Sequence, residues 1–318
     1  MDNDSYLLLL LSDGNLPTGS FVSSSGLESY LKHGFPVLLP DLVSPQSAPK
    51  LSSIQPPQGV QATVTFIEES LAAYARLALP FVSDTHSLVI GHPTATDEEL
   101  LARLRASDQR YEAMTLNHIT RRASKAQGVA LLTLFSKGFS RPSWVGSLVR
   151  ESHSQEQQRI ARSKKLEALA DSFKMTIRRG ETPGHLPICW GILTAALLLS
   201  KDLVLIFLKE RSQQLFLFLY ARSLLSAAIR LNTIGPYAAQ QLLLHVIREM
   251  VEKEASKCSL LRSGVGEPTR SHRALSTPVQ SEEDWARLEA DDLPATTWPL
   301  GEIIAARHDL QHSRIFNS

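Results

Sequence analysis

Apolar residues recur along this chain at steps of three and four positions, and that spacing limits what it can fold into. The pattern is clear from Phe66 to Leu79, where Pro80 predicts a helix end, and again from Gln213 to Leu231 and from Tyr237 to Glu254. No stretch shows the sustained apolar and polar alternation of a half-buried strand. We therefore predict an all-α fold: a single helical domain, a bundle with long disordered or irregular insertions.

Local signals indicate where individual helices begin and end. Thr96 and Glu99 have capping-box spacing, which predicts a helix start. The helical pattern from Arg110 to Phe135 continues without proline, and Gly128 is its only weak point. The block from Gly184 to Ser200 predicts a core helix.

Three further residues shape the predicted helices. In the core helix, the small Gly191 allows another helix to approach closely. Gly235 suits a left-handed position after a helix, and Pro236 suits the first turn of the next one.

Polar and proline-rich breaks divide the chain. The stretch from Phe35 to Gly59 is rich in Pro, Ser and Gln and cannot propagate a helix, while Ala255 to Ser281 is rich in Ser, Gly and Arg. The predicted segments are an N-terminal loop and helix motif (1–34), a Pro/Ser-rich insertion (35–62), a helical core (63–254), a polar flexible loop (255–284) and a C-terminal docking tail (285–318).

Composition excludes several classes of protein. A formal net charge of +1 over 318 residues gives no general attraction to nucleic acid or acidic lipid. Cys189 and Cys258 cannot form a disulfide framework, which favours a reducing, cytoplasmic compartment. The apolar run Tyr6 to Leu11 lacks the basic residues that precede a signal peptide's core, and charges interrupt Leu186 to Leu219. We expect no membrane span; a membrane-associated helical protein is the competing interpretation of Leu186 to Leu219.

Glycine and serine crowd the opening segment, but the known catalytic motifs fit it poorly. Gly14 and Gly19 have the spacing of a phosphate-binding loop, yet Ser20 stands where that loop needs lysine. No serine lies in a nucleophile elbow. The hydroxyls of Ser23 to Ser25 are expected to cap a helix that begins near Leu27. A serine hydrolase using Ser20 to Ser25 with a remote histidine remains the alternative function.

One histidine pair has the spacing of a metal clamp. His308 and His312 are four positions apart and would share a helix face. No third fixed ligand accompanies them, so we predict no metal site.

Two short segments instead have the character of protein-binding surfaces. In the opening loop Pro17 fixes a turn, Gly19 and Gly26 permit unusual backbone conformations, and Phe21 is an aromatic residue in polar surroundings. The last residues, Arg314 to Phe316, combine a cation, a branched apolar group and an aromatic ring, which is typical of an anchor for a partner's groove; a tail folded onto its own core is the alternative.

Four blocks in order resemble the UreF family of urease accessory proteins. They are "LSDGNLPTGSFVSSSGLES", "GHLPICWG", "SLLSAAIRLNTIGPYAAQQLL" and "RHDLQHSRIFNS". The long insertions suggest a eukaryotic member. The chain departs from the family pattern at His312, where Tyr is frequent, and at Ser200 to Gln213, which is longer than the usual junction between the two core helices.

The resemblance implies an all-helical, homodimeric scaffold without catalysis of its own. Its expected partners are the accessory protein UreD/UreH, the GTPase UreG and apo-urease. The complex would insert nickel with GTP, and no cofactor would be held stably by this chain.

The resemblance also implies roles for individual residues. The partner-binding or loop-shaping positions would be Pro17, Gly19, Phe21 and Glu28 in the opening loop and His308, Arg314 and Phe316 in the tail that docks on UreD/UreH. The structural positions would be Gly26, Gly191, Arg230, Gly235, Pro236 and Gln240. The last four belong to one block, in which a role in packing and a contact with a partner are both possible interpretations.

Overall fold

The computed structural model describes residues 3–14, 16–33, 57–91, 96–139, 156–197, 205–265 and 293–318. These ranges contain helices and turns and no strand, so the predicted all-α fold is confirmed. The α-helices are α1 (Asn3–Leu11), α2 (Leu27–Lys32), α3 (Gln58–Gly91), α4 (Asp97–Met114), α5 (His118–Leu134), α6 (Glu156–Arg178), α7 (Leu186–Leu197), α8 (Leu205–Arg230), α9 (Pro236–Leu242), α10 (Arg248–Lys257) and α11 (Pro299–Ala306).

Helices α3, α7 and α8 form the centre of the bundle. Helix α3 packs along both α7 and α8, and α5 packs against the other side of α7. Nearly the whole of α7 is buried, which explains its almost uninterrupted apolar sequence. Between α3 and α8 the ring of Tyr74 stacks on Phe216 and Tyr220, with centroids 5.4 and 4.2 Å away. This aromatic stack forms one wall of the space beneath the opening loop.

Helix α3 does not end at Pro80, so the predicted stop there is wrong. Pro80 lies inside the helix and is buried. A proline inside a helix costs about 3 kcal/mol because it removes one backbone hydrogen bond. Phe66 and Leu71 before it and Phe81 after it belong to the same core, so their burial offsets that cost.

The segment from Arg110 to Phe135 contains two helices instead of the one predicted. Helix α4 ends at Met114, and Asn117 starts α5 by accepting hydrogen bonds from the backbone amides of Ile119 and Thr120 at 2.9 and 3.3 Å. Asparagine is a preferred N-cap residue, so Asn117 indicates a helix start. The apolar pattern continues across this position and does not reveal the break. The break turns the chain so that α5 lies against α7.

The capping box at the start of α4 is confirmed. Thr96 Oγ1 accepts from the Glu99 amide at 3.2 Å, and the Glu99 carboxylate accepts from the Thr96 amide at 2.9 Å. These two bonds satisfy amides that the first turn of a helix otherwise leaves unpaired.

Gly191 lies where α7 contacts α3. A Cβ atom added there would lie 2.6 Å from Thr85 Cβ and 3.0 Å from the Val82 carbonyl oxygen. The neighbouring Trp190 donates its indole N–H to Ser212 Oγ at 3.1 Å. Ser212 is buried in α8, so the end of the unusually long junction is part of the packed core.

The turn between α8 and α9 differs from its predicted form. Asn232, with φ of 57°, adopts the left-handed conformation that we assigned to Gly235. Gly235 is extended, with φ of −78°, and precedes Pro236 at the first position of α9. Asparagine tolerates the left-handed region better than most residues, so it ends α8. A π-helical turn, Leu243–Ile247, joins α9 to α10.

No helix in the described part of the chain is long and apolar enough to cross a membrane. Most of the predicted insertion 35–62 and most of the predicted loop 255–284 lie outside the described residues. Helix α3 begins at Gln58, inside the first of these segments, and α10 ends at Lys257, inside the second.

Candidate functional site: a surface joining the two ends of the chain

The opening loop and the C-terminal tail lie side by side and are paired through their backbones. The Asn317 amide donates to the Val22 carbonyl at 2.8 Å. The Ser24 amide and hydroxyl both donate to the Ser318 carbonyl, at 2.5 and 3.1 Å. We call residues 20–28 together with residues 307–318 the terminal clasp.

Two glycines give the opening loop its path. Gly19 and Gly26 have φ angles of 75° and 91°, a region that side chains with a Cβ rarely adopt. Gly19 leads into a single 3-10 turn, Ser20–Val22, and Gly26 leads into α2. The Gly26 backbone also lies against Ala305 of α11, so the loop stays close to the C-terminal helix.

Glu28 is the central acceptor of the clasp, and its side chain is fully buried. The carboxylate accepts from the backbone amides of Ile315 and Phe316 at 2.9 and 3.2 Å and from Lys32 at 2.8 Å. Burial alone would raise the pKa of Glu28, but the bonds from Lys32 and the two tail amides outweigh it and lower that pKa. The buried His308 lies 3.5 Å away from the same carboxylate. The tail is therefore attached to a buried negative charge.

Arg230, at the end of α8, lies between two aromatic rings of the clasp. Its guanidinium carbon is 3.9 Å from the centroid of Phe21 and 4.1 Å from that of Phe316. It also donates a hydrogen bond to the Phe21 carbonyl. Burial lowers the pKa of Arg230, yet a guanidinium stays charged and is attracted to both ring faces. Arg230 thus links the loop, the tail and the bundle.

Asp309 accepts hydrogen bonds from two arginines at the edge of the clasp. Arg122 of α5 donates two hydrogen bonds to its carboxylate, both at 3.0 Å, and Arg314 donates a third at 2.7 Å. Arg122 also donates to the Asn317 carbonyl at 2.8 Å. The hydrogen bonds from Arg122 hold the pKa of Asp309 far below its ordinary range. These bonds fasten the tail to α5.

The structure separates the predicted partner-binding residues into two groups. Exposed on the surface are Pro17, Gly19, Phe21 and Arg314; buried within this chain are Glu28, His308 and Phe316. The tail folds onto the molecule's own core, as the alternative interpretation of Arg314 to Phe316 held. The clasp brings Arg230 and Gly26 together with these residues, whereas Gly191, Gly235, Pro236 and Gln240 lie elsewhere.

Sequence reasoning missed three residues that hold the clasp in place. Ser24 was considered only as a helix cap and within the serine alternative, and no role in this surface was predicted for Asp309 or for Arg122 of α5. The residue at the N-cap of α2 is Gly26, which makes no side-chain hydrogen bond. The Ser24 hydroxyl nevertheless accepts the Glu28 amide in the first turn of α2 at 3.5 Å, as predicted for a serine cap, and it also donates to the tail. Sequence spacing gives no signal for such pairs, since the partners are 294 positions apart for Ser24 and Ser318 and 187 for Arg122 and Asp309.

The opening serines are held by other hydroxyls and by the backbone. The hydroxyl of Ser20 lies 3.3 Å from that of Thr18, and the hydroxyl of Ser23 lies 3.4 Å from that of Ser25. Because no histidine is among these hydrogen-bond partners in the described chain, the geometry of an activated nucleophile is missing from this segment.

A serine, a histidine and a glutamate do meet elsewhere, at the start of α7. His185 contacts Ser124 Oγ at 3.1 Å and Glu112 at 2.5 Å through its two ring nitrogens. The Ser124 oxygen also accepts the Leu186 amide at 3.1 Å, and Asp108 accepts the amides of Gly184 and His185. Burial lowers the pKa of His185 despite its acidic neighbours. These contacts anchor the first turn of α7, whose amides would otherwise be unpaired.

His308 and His312 do not share a helix face, so that expectation is wrong. Helix α11 ends at Ala306 and a 3-10 turn, Arg307–Leu310, follows, after which Gln311 is extended. His308 points into the core and His312 is exposed. Within the described ranges no group of three or more His, Cys, Asp or Glu side chains is arranged to hold a metal ion.

The stacked Arg230 gives a first testable prediction. Replacing it with lysine keeps the charge but removes the planar group that lies against both rings, so the free energy of unfolding should fall by about 1 kcal/mol. Urea denaturation of the two proteins measures this difference. Arg248→Lys, at an exposed position of α10, is the matched control. Equal stabilities for the two lysine variants would show that the stacking contributes nothing.

The fold and the clasp together define a class of protein. It is a helical bundle in which the opening loop and the C-terminal tail form one continuous surface with exposed side chains from both segments. A family model independently matches residues 59–247 and is described as UreF. The chain belongs to the UreF family. The predicted resemblance is thereby confirmed, although the opening block and the tail lie outside the matched range.

Curated relatives match most or nearly all of the chain. Urease accessory protein 6 of the fungus Cryptococcus neoformans is 41% identical over 325 residues, covering 98% of this chain and 96% of the relative. A protein described as an uncharacterized UreF-like urease accessory protein, from Schizosaccharomyces pombe, is 26% identical, with 99% and 97% covered. Urease accessory protein F of rice is 26% identical, with 83% and 76% covered. These relatives are all eukaryotic.

Proposed function

We propose that this chain is a urease accessory protein that acts as a non-catalytic scaffold for the insertion of nickel into apo-urease. The observation that carries the proposal is the terminal clasp: a rigid surface, fastened by buried charges, that presents Phe21, Arg314 and Ile315 outward. The UreF family and the relatives described as urease accessory proteins support a role in urease maturation. The chain would act by binding its partners and would carry out no covalent chemistry itself.

The proposed partners are the accessory protein UreD/UreH, the GTPase UreG and apo-urease. The chain would form a homodimer in the cytoplasm, join UreD/UreH through the tail and hold UreG near the opening loop. GTP hydrolysis by UreG would drive nickel insertion. Nickel is cargo in this scheme, and the scaffold itself would keep no resident metal.

The burial of the predicted site residues suggests which of them contact a partner and which support the surface from inside. Phe21, at 62% exposure, and Ile315, at 59%, are large apolar side chains that the described residues leave open for a partner to cover. Glu28, His308 and Phe316 would act inside the chain by fixing the backbone that carries those two side chains. The two groups therefore make different predictions for substitution.

Charge substitution at an exposed clasp residue tests the proposal. Ile315→Asp should leave the fold intact, because the side chain points to solvent, yet weaken assembly with UreD/UreH by at least about tenfold, since a buried unpaired carboxylate is costly. The measurement is co-purification of the tagged chain with UreD/UreH and UreG from the same organism, together with urease activation in cells lacking the native chain.

The matched control is Leu260→Asp, which places the same charge at an exposed leucine after α10. It should assemble and activate urease normally. If Ile315→Asp activated urease as well as the control did, the tail would not be a docking surface. If the unmodified chain failed to join UreD/UreH, the scaffold role itself would be refuted.

A further inference from the structure

A cavity of about 380 Å³ lies beneath the opening loop, between the loop and the helices of the bundle. It extends from the loop, at Ser20 and Phe21, to helix α11, at Glu302. This volume is large enough for a small organic molecule, and sites of this size are usually apolar with a few polar groups. The proposed scaffold role makes no use of it.

Aromatic side chains form much of the cavity wall. Tyr74, Phe216 and Tyr220 contribute their stacked rings, and Trp190 and Trp298 line further parts. Tyr74, Tyr220 and Trp298 are only partly buried, so their surfaces remain available to a ligand. Aromatic ring faces carry partial negative charge, and several of them around one space attract organic cations.

Two carboxylates line the same cavity, Asp13 and Glu302. Asp13 is exposed, whereas Glu302 is half-buried on α11, where its neighbours Ile304 and Ala305 are buried. Burial raises the pKa of Glu302, and a hydrogen bond from Asn117 opposes that shift only in part. Its Oε2 atom has no hydrogen-bond partner among the described residues. A half-buried carboxylate with an unpaired oxygen gains from a cationic partner.

The ionisable groups around Glu302 do not supply that cation. Burial, and to a smaller extent the Glu302 charge, raises the pKa of Tyr220 to about 12, so this phenol stays neutral. Burial likewise raises the pKa of Tyr111. The two arginines that line the cavity are engaged with the loop backbone: Arg222 donates to the Ser12 carbonyl and Arg230 to the Phe21 carbonyl.

From this combination of aromatic walls and a carboxylate with an unpaired oxygen we infer that the cavity is a binding site for a small organic ammonium ion. The ammonium group would lie beside Glu302, and the apolar part of the ligand would contact the rings of Tyr74, Tyr220 and Trp298. No covalent step is involved. The ligand would lie beneath the loop, so the site shares Phe21 with the clasp but does not include the outward-facing Arg314 and Ile315.

Matched probes test this inference on the full chain. Benzylamine is cationic at pH 7, benzyl alcohol is its neutral analogue of nearly the same size, and benzoate carries the opposite charge. Isothermal titration calorimetry should show benzylamine binding at least about tenfold more tightly than benzyl alcohol, with benzoate weakest. Glu302→Gln should weaken benzylamine about 10- to 100-fold and leave benzyl alcohol unchanged, as expected for the loss of one charge-assisted hydrogen bond.

Two further variants keep the result interpretable. Glu249→Gln removes an exposed carboxylate from α10 and should bind benzylamine normally. Ala73→Phe adds a ring at a residue that lines the cavity and should abolish binding even though Glu302 is retained. Equal affinity for benzylamine and benzyl alcohol, no binding of either, or full binding by a folded Glu302→Gln or Ala73→Phe variant would each overturn the inference.

Discussion

Replacing Glu28 with alanine is expected to lower the free energy of unfolding by about 3 kcal/mol and to release the C-terminal tail. The substitution leaves the amides of Ile315 and Phe316 without their acceptor and leaves Lys32 without its ion pair. A buried donor that loses its partner costs more than the bond itself contributed. Hydrogen exchange of the two tail amides should accelerate, and urea denaturation should report the lost stability.

The acid dependence of stability provides a signature of this role. The hydrogen bonds to Glu28 lower its pKa below the ordinary 4.5 in the folded chain. Its contribution is therefore fully present above about pH 4.5 and is lost as the pH falls through the folded pKa. The alanine variant should lack this part of the acid destabilisation, whereas Asp309 and Glu112, whose pKa values are also lowered, should still contribute with the same sign.

Glu28→Gln is the graded variant, because it keeps one acceptor oxygen and should lose about half as much stability. Glu249→Gln, at an exposed position, is the control and should stay within about 0.5 kcal/mol of the parent. Unchanged exchange of the Ile315 and Phe316 amides in Glu28→Ala would contradict the clasp.

Gly128→Ala is expected to destabilise the fold by at least about 3 kcal/mol. In an exposed helix interior the same change stabilises by about 1 kcal/mol, because alanine is the better helix former. At Gly128, however, the added Cβ would lie 2.2 Å from the Gly184 carbonyl oxygen and 2.9 Å from the His185 carbonyl carbon. Backbone atoms cannot move aside as a flexible side chain can, so α5 and α7 would have to separate.

Gly91→Ala provides the matched comparison, since a Cβ atom at that glycine meets nothing within 4 Å. It should be neutral or slightly stabilising. Thermal and urea unfolding of both variants, followed by far-UV circular dichroism, measure the difference. Equal stability of the two variants would show that α5 and α7 are not packed as closely as described.

Local chemistry explains which parts of the fold were predictable. The Thr96 capping box and the apolar stripes of α3 and α8 depend on residues within a few positions of one another, and these could be predicted from the sequence. The passage of α3 through Pro80 could not, because the burial that offsets the proline comes from α7 and α8. Gly128 was recognised as a weak point of its helix. The reason that a glycine is needed there is the close backbone of another segment, which the sequence does not reveal.

The candidate site shows the same division between local and distant information. Phe21 and Arg314 to Phe316 were identified as unusual residues in polar surroundings, and both segments were predicted to face partners. That the two segments bind each other, with Arg230 between their rings, depends on the complete fold. Residue type indicated that these positions matter, whereas only the tertiary structure shows which of them are accessible.

The backbone pairing between Ser24 and Ser318 has a consequence for the order of events during synthesis. Closing a loop of this length has a large entropic cost, so the pair should form after the bundle has assembled. A chain whose tail has not yet folded back would have a bundle but no paired surface. Partners that bind only the paired segments would therefore distinguish chains with the clasp closed from chains with it open, so that partner binding would follow folding.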